Sequence, residues 1–216
     1  MERLHINQLQ VIESFINGEN IFMSGPGGTG KTHVIKILQE LCKKYKKTFQ
    51  ITALTGCAAL LLDCNAKTIH SWSGVGTAKE SDINYYIRKL KKNKIHINWK
   101  TVDVLIVDEV SMMSKKLFNI LDEIGKILRN NDRPFGGIQV VFSGDFFQLP
   151  PVAKEIGDES QFCFESESWN NSFRSIHILT KNFRQDNKSF TKMLNNIRVG
   201  KITHSTVELL KSRIII

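Results

Sequence analysis

The chain has 216 residues, a hydrophobic content of 41%, a charged content of 24% and a formal net charge of +9. This length allows one well-packed core with a small appendage, and this composition excludes general disorder, collagen and coiled-coil arrays. No apolar run is long enough to predict a membrane span, and the amino terminus does not resemble a signal peptide. We therefore expect an intracellular protein whose four cysteines are reduced thiols, without a disulfide framework or a zinc site.

Hydrophobic periodicity predicts strands separated by helices. In chain order we expect a helix over 7–17, a strand over 20–24, a helix over 31–45, a strand over 48–53, helices over 55–63 and 81–92, a strand over 102–107, a helix capped by Ser114 that runs to about 129, strands over 138–142 and 176–179, a helix capped by Asp186 that ends before Gly200, and a last helix from about 205. This order favours a three-layer α/β sandwich around a parallel sheet. Ligands of such sheets bind beyond the carboxyl ends of the strands, which predicts chemistry just after residues 24, 53, 107 and 142.

A candidate phosphate-binding loop follows the first predicted strand. Its residues are Gly25, Pro26, Gly27, Gly28, Thr29, Gly30, Lys31 and Thr32, which match the spacing G-x-x-x-x-G-K-[ST] at every fixed position. Glycines let the amides of the loop turn inward around a phosphate, and the following helix adds the positive end of its dipole. We expect Lys31 to reach the β and γ phosphates of a nucleotide and the Thr32 hydroxyl to ligate Mg²⁺.

Two adjacent carboxylates end the most apolar predicted strand. We expect Asp108 to bind Mg²⁺ either directly or through a water molecule of the ion. We expect Glu109 to polarise the water that attacks in phosphoryl transfer. The next strand delivers a loop to the same edge, where Gln148 is predicted to hydrogen-bond a γ-phosphate or the attacking water. In that loop Phe146 and Phe147 either stack on bases or pack in the core.

The positive charge is concentrated in two internal clusters, at 43–47 and 88–94. Each cluster is either a solvated helix face or a contact surface for a nucleic-acid backbone, because Lys and Arg next to a polyanion release its counterions. Charge alone does not decide between these two interpretations, so both stay open for each cluster.

Taken together, the motifs resemble those of superfamily 1 DNA helicases, and in particular the petite integration frequency (PIF) family, which is related to RecD. The segments that carry this resemblance are 7–8, 25–32, 55–59, 68–72, 108–112, 144–151 and 179–185. The resemblance extends over about 4–213 of the chain. It implies a RecA-like fold of the P-loop NTPase class, ATP and Mg²⁺ as cofactors, and DNA as the partner.

The same resemblance implies roles for individual residues. Gln8 is the candidate reader of the adenine base, and Arg184 is a candidate arginine finger that faces the γ-phosphate. The candidate contacts to single-stranded DNA are Thr55, Gly56, Ala58, His70, Ser71 and Phe147. The basic cluster at 88–94 falls where the family inserts a small accessory element, here about 78–100, and we expect it to touch the strand or the fork.

Motors of this family use two RecA-like lobes, and the motifs of the second lobe are not found in this sequence. We expect residues 1–186 to form the ATP-binding lobe and residues 187–216 to be trailing helices that lead toward a second lobe, with 214–216 opening a strand. The leading hypothesis is a monomeric ATP-dependent DNA helicase that moves 5′ to 3′ and acts on duplex forks in repair and recombination. The alternative is a stand-alone P-loop ATPase, or a nucleic-acid-binding regulator, without unwinding activity.

Overall fold

A computed structural model of the chain describes residues 4–152 and 161–213. The α-helices of these residues are α1 (Ile6–Ile16), α2 (Lys31–Lys44), α3 (Gly56–Leu62), α4 (Ile69–Ser73), α5 (Ile83–Lys92), α6 (His96–Thr101), α7 (Lys115–Arg129), α8 (Glu167–Ser172), α9 (Lys188–Arg198) and α10 (His204–Lys211). The strands are β1 (Ile21–Ser24), β2 (Phe49–Ala53), β3 (Lys67–Thr68), β4 (Val104–Asp108), β5 (Gln139–Gly144) and β6 (Ser175–Ile178). The predicted strand at 214–216 lies outside the described residues.

The strands form one sheet in the order β3-β2-β4-β5-β1-β6, and every neighbouring pair is parallel. The prediction of a parallel α/β sheet is therefore confirmed. In the register of the sheet, Ser24 pairs with Gly144 and Ala53 pairs with Asp108. Because parallel strands point the same way, the carboxyl ends of β1, β2, β4 and β5 meet at one edge of the sheet. We call this edge the ligand edge.

Alternate residues of the central strands pack into two separate apolar layers. Val104 and Ile106 of β4 face the layer that contains the buried sides of α1, α2 and α3. Leu105 and Val107 of the same strand face the layer of α5, α6, α7 and α8. The strand is buried on both faces, which explains why its sequence is an almost unbroken apolar run. The result is the predicted three-layer sandwich.

The second of these layers is built around an aromatic cluster. The ring of Phe118 on α7 lies 5.4 Å from the rings of Phe135 and Trp169 and 5.8 Å from that of Phe142, measured between ring centroids. The predicted accessory segment at 78–100 adds to the same layer, since Tyr86 and Trp99 are buried in it. This segment therefore shares its core with the rest of the described chain.

Element boundaries agree with the sequence-based expectations to within one or two residues, with one wrong cap. Ser114 caps α7 as predicted, by accepting a hydrogen bond from the amide of Leu117. Asp186 does not cap α9; Asn187 does, and its side chain accepts from the amide of Phe190 at 3.0 Å. The short elements β3, α4, α6 and α8 were not predicted as separate elements, because two to six residues carry too little periodicity. Within the described ranges, no helix combines the length and the apolar character that a membrane crossing requires.

We predict that Phe118→Ala lowers the free energy of unfolding by about 3–5 kcal/mol, because it leaves a cavity among rings that are held on every side. Urea denaturation followed by circular dichroism measures this loss. The matched control is Leu60→Ala on α3, whose side chain is 82% exposed, and its effect should stay within about 0.5 kcal/mol. A loss at position 118 no larger than that of the control would contradict the central place of this ring.

Candidate nucleotide-binding site

The glycine-rich loop at 25–32 connects β1 to α2 at the ligand edge. Gly30 precedes α2 with a φ of +85°, and no side chain caps the first turn of this helix. The amides of that turn are thus available to an anionic ligand, and the helix dipole favours such a ligand. The Thr29 hydroxyl donates to the carbonyl of Pro26 at 2.9 Å, which closes the loop on itself. The loop is thus a candidate phosphate-binding site, as its spacing predicts.

Lys31 lies inside this loop. Its ammonium group donates to the carbonyls of Gly25 at 2.6 Å and Pro26 at 3.2 Å. Burial lowers the pKa of Lys31, while the charges of Asp108 and other nearby carboxylates act against that shift. A phosphate in the loop would supply the negative charge that a half-buried ammonium lacks.

Asp108 and Glu109 stand next to the loop, at the end of β4. Asp108 is buried, and its Oδ1 atom has no hydrogen-bond partner among the residues that the structure describes. Glu109 has a φ of +58°, a left-handed conformation that costs free energy in a residue with a Cβ atom. Burial raises the pKa of both carboxyls, and the charge of Asp108 adds to the rise at Glu109. Such strain and such shifts are typical of functional sites.

Gln148 reaches the same place from the loop after β5. Its Nε2 atom donates to Asp145 Oδ2 at 3.3 Å, and its backbone amide donates to the Asp145 carbonyl at 2.8 Å. Asp145 is 1% exposed and forms two hydrogen bonds with Arg198 of α9. Burial acts to raise the pKa of Asp145, but the hydrogen bonds from Arg198 and Gln148 hold it below its ordinary value.

The segment that carries Arg184 is joined to the phosphate loop. The amide of Phe183 donates to the Gly28 carbonyl at 2.8 Å, and Asn182 Nδ2 donates to the Gly27 carbonyl at 3.2 Å. A Cβ atom on Gly28, whose φ is +84°, would lie 2.8 Å from Arg184 Cβ. Glycine at this position is therefore required for the close approach of the two segments.

Gln8 also approaches the loop, from α1. Its Nε2 atom lies 3.5 Å from the Thr29 carbonyl, and its Oε1 atom accepts from the amide of His5 at 3.0 Å. A Cβ atom on Gly30 would lie 2.6 Å from Gln8 Nε2, so this glycine leaves the space that the amide occupies. Gln8 thus contacts the phosphate-binding loop, and its adenine-reading role stays a prediction.

A cleft of about 330 Å³ unites most of these residues. It is lined by Gly27, Gly28, Thr29, Gly30, Lys31, Thr32, Asp108, Glu109, Gln148, Phe183 and Arg184. All four residues predicted to act in catalysis and both predicted Mg²⁺ ligands are in this set. The cleft thus brings together the Lys31 ammonium, two carboxylates, the Gln148 amide and the Arg184 guanidinium. These are the groups that phosphoryl transfer from a nucleoside triphosphate requires.

Apart from Phe147, which stands in the Gln148 loop, the candidate DNA contacts lie at the same edge of the sheet but after β2 and β3. Thr55 follows β2 and caps α3 by accepting from the amide of Ala58, while Gly56 is exposed beside it. His70 and Ser71 lie on α4, which follows β3; Ser71 is exposed and His70 is partly buried. The two helices thus follow neighbouring strands at one end of the sheet.

The two adjacent phenylalanines of the Gln148 loop differ in environment. Phe146 packs toward the aromatic cluster, with its ring 5.4 Å from that of Phe22 and 4.7 Å from that of Phe164. Phe147 is 60% exposed, and the guanidinium carbon of Arg198 lies 4.3 Å from its ring centroid. Of the two alternatives for these rings, core packing holds for Phe146, whereas Phe147 lies mostly exposed beside Arg198.

Four residues of this region were not among the predicted site residues: Asp145, Asn182, Phe183 and Arg198. Asn182 joins the Arg184 segment to the phosphate loop, and its Oδ1 atom also accepts from the amides of Arg184 and Gln185. Asparagine is a common turn residue, because its side chain can accept from the backbone amide two residues on, and this signal could have marked Asn182. Arg198 lies 53 residues after Asp145, and no local pattern connects them.

Comparisons with known proteins point to one family. The family model of PIF1-like helicases matches residues 3–208. The chain is 41% identical over 216 residues to the ATP-dependent DNA helicase PIF1 of Emericella nidulans, with 96% of this chain and 28% of that protein covered. The chain therefore spans about a quarter of the length of this curated relative.

Solved structures agree with this assignment. The crystal structure of Pif1 helicase from Candida albicans superimposes with a TM-score of 0.88 at 39% identity, over 96% of this chain and 47% of that one. The structure of Pif1 helicase from Bacteroides in complex with ADP-AlF3 and single-stranded DNA has a TM-score of 0.78 at 29% identity, over 100% of this chain and 51% of that one. The likeness thus covers about half of each solved chain.

The raised pKa of Asp108 gives a prediction with a definite sign. The folded state binds the carboxyl proton more tightly than the unfolded chain, so the ionised form lowers stability above the ordinary aspartate pKa of about 3.9. Asp108→Asn should therefore raise the thermal midpoint at pH 7, and the gain should shrink as the pH falls to about 4. Scanning calorimetry at the two pH values measures the difference.

The control for this prediction is Asp132→Asn, which changes an exposed aspartate. It should leave the midpoint unchanged at both pH values. A lower midpoint for Asp108→Asn at pH 7 would show that the ionised carboxylate stabilises the fold, in contradiction to the prediction.

Proposed function

Because this chain belongs to the PIF1-like helicase family, we propose that it is the ATP-binding first lobe of a DNA helicase that moves 5′ to 3′ on single-stranded DNA. The observation that carries the proposal is the cleft in which Lys31, Glu109 and Gln148 meet Arg184. These residues come from four separate segments of the chain, and each of them has a role in the chemistry of phosphoryl transfer. A second RecA-like lobe is the expected partner of this one in the intact protein.

ATP with Mg²⁺ is the ligand that fits the cleft. The amides at the start of α2 and the Lys31 ammonium would hold the phosphates. Asp108 and Thr32 would hold Mg²⁺, since a carboxylate oxygen that accepts no hydrogen bond from the described part of the chain and a hydroxyl are oxygen donors of the kind that this ion prefers. The ion would neutralise charge on the phosphate oxygens.

Hydrolysis would depend on Glu109. Its carboxylate lines the cleft, and burial raises its pKa, which brings it closer to the range in which a general base works at neutral pH. Gln148 would orient the attacking water or sense the γ-phosphate, and the Arg184 guanidinium would stabilise the charge that develops there. The three side chains are positioned by β4, by the Asp145 loop and by the Asn182 turn.

Single-stranded DNA would cross the ligand edge next to this cleft. The exposed residues at the starts of α3 and α4 would meet its backbone, and the exposed face of Phe147 would stack on a base. The basic cluster at 88–94 adjoins α4, because Trp99 of α6 donates to the Ser73 carbonyl and α5 packs beside α6. This cluster would extend the contact toward a duplex fork.

The central prediction concerns ATP turnover in the presence of single-stranded DNA. Lys31→Ala should abolish turnover by weakening nucleotide binding, whereas Glu109→Gln should lower turnover by about 10²- to 10⁴-fold and leave ATP affinity nearly unchanged. Phosphate release and equilibrium binding of a fluorescent ATP analogue measure the two quantities. Lys36→Ala, an exposed lysine further along α2, is the matched control and should behave like the wild-type chain.

The outcome of these measurements also separates the two hypotheses. Turnover that DNA stimulates, and that both variants lose, supports a motor lobe. Turnover that proceeds at the same rate without DNA favours the stand-alone ATPase. A Glu109→Gln variant that hydrolyses ATP at the wild-type rate would remove Glu109 from the proposed mechanism.

The basic cluster gives a second prediction. Changing Lys91, Lys92 and Lys94 to Gln should weaken binding of an oligo-dT strand and reduce the slope of log affinity against log salt by about 2. Fluorescence anisotropy at several salt concentrations measures the slope. Changing Lys43, Lys44 and Lys46 to Gln is the control, because these residues lie where α2 ends, away from the ligand edge. Equal slopes for both triple variants would contradict a specific role for the first cluster.

A further inference from the structure

Arg198, the last residue of α9, forms a largely buried ion pair with the ligand edge. Its Nε and Nη2 atoms donate to the two oxygens of Asp145 at 2.7 and 2.6 Å. The Arg198 side chain is 22% exposed and that of Asp145 is 1% exposed. A two-pronged bond of this kind fixes the carboxylate in both position and rotation, which a single contact does not do.

Asp145 in turn contacts the loop that lines the nucleotide cleft. The oxygen that accepts from Arg198 Nε also accepts from Gln148 Nε2, at 3.3 Å. The second Asp145 oxygen accepts from the amide of Phe147 at 3.3 Å. The carboxylate held by Arg198 therefore organises the loop on which Gln148 and Phe147 stand.

The same guanidinium also holds the ring of Phe147. Its carbon atom lies 4.3 Å from the ring centroid, the distance of a cation–π contact. One face of the ring is thus covered by Arg198, while the residue as a whole stays 60% exposed. A stacking platform fixed in this way loses little conformational entropy when a base binds.

Both ends of helix α9 are therefore connected to segments that line the cleft, although no residue of α9 is among its lining residues. Its first residues follow the turn that presents Arg184, and its last residue holds the loop that presents Gln148. The eleven residues of α9 thus connect the segment after Arg184 with the loop that carries Gln148.

We propose that Arg198 is a positioning residue that sets the place of both the Gln148 amide and the Phe147 ring, so that nucleotide sensing and base stacking depend on one side chain of α9. The inference rests on the proposed function and adds a determinant of it. A residue with only a structural role, which compensates the buried Asp145 charge, would be replaceable by any cation of similar length. A positioning residue requires the planar fork of arginine.

The test is Arg198→Lys in the full chain, because this variant keeps the charge and protects the fold. Calorimetry measures affinities for ADP and for AMP-PNP, a non-hydrolysable ATP analogue with a γ-phosphate. We expect an unchanged thermal midpoint and unchanged ADP affinity, and a fall of about fivefold in the preference for AMP-PNP over ADP. Anisotropy with a labelled oligo-dT strand should show a loss of about fivefold in affinity as well.

Two further variants sharpen the result. Arg174→Lys changes an exposed arginine just before β6, at the opposite edge of the sheet, and should leave all four quantities as in the wild-type chain. The double change Arg198→Met with Asp145→Asn removes the ion pair without leaving a buried charge. It should lower the AMP-PNP preference at least as far as Arg198→Lys does.

The outcomes separate this inference from the proposed function. Wild-type AMP-PNP preference and oligo-dT affinity in Arg198→Lys would overturn the inference and leave a purely structural ion pair. A wild-type chain that prefers AMP-PNP to ADP but binds no oligo-dT would contradict the helicase proposal. In that case the AMP-PNP preference of the variants would still test the link between Arg198 and Gln148. A wild-type chain without any such preference would overturn the inference itself.

Discussion

The candidate site depends on the order in which the parallel strands lie side by side. Because β5 lies between β4 and β1, the ends that carry Asp108, Asp145 and the phosphate loop are direct neighbours, although they are distant in sequence. The backbone hydrogen bonds of the sheet hold these ends at fixed spacing, so that no long side chain has to bridge the fold. The Lys31 ammonium and the Arg184 segment are placed relative to this edge by short contacts with the loop.

The same edge concentrates features that cost stability. Glu109 is held in a left-handed conformation, one buried oxygen of Asp108 has no hydrogen-bond partner within 4–152 and 161–213, and burial raises the pKa of both carboxyls. None of these features would persist in an isolated strand end. They are held by a rigid surrounding, in which β4 is buried on both faces and the ring of Phe118 anchors α7 against the sheet. Well-packed layers on both sides thus offset the cost of a site that is ready to bind a multiply charged ligand.

Sequence reasoning predicted those parts of the protein whose signals are local. The phosphate loop follows from fixed spacing, and the parallel sheet follows from apolar runs separated by helical periods, since both patterns reflect backbone geometry within a few residues. The Asp145–Arg198 pair joins segments whose proximity only the tertiary fold creates, so no spacing rule could predict it. The different environments of Phe146 and Phe147 were equally undetermined, because an adjacent pair of identical residues carries no information on which one faces the core. The cap of α9 was misplaced by one residue because Asp186 and Asn187 are both good caps.

The bond between the Phe183 amide and the Gly28 carbonyl joins two backbones. This backbone hydrogen bond does not depend on which side chain stands at position 183. Among the common residues only proline would remove it, because proline has no amide donor. Substitutions of the side chain at position 183 can therefore change the surface of the Arg184 segment. They leave in place the backbone hydrogen bond that connects this segment to the phosphate-binding loop.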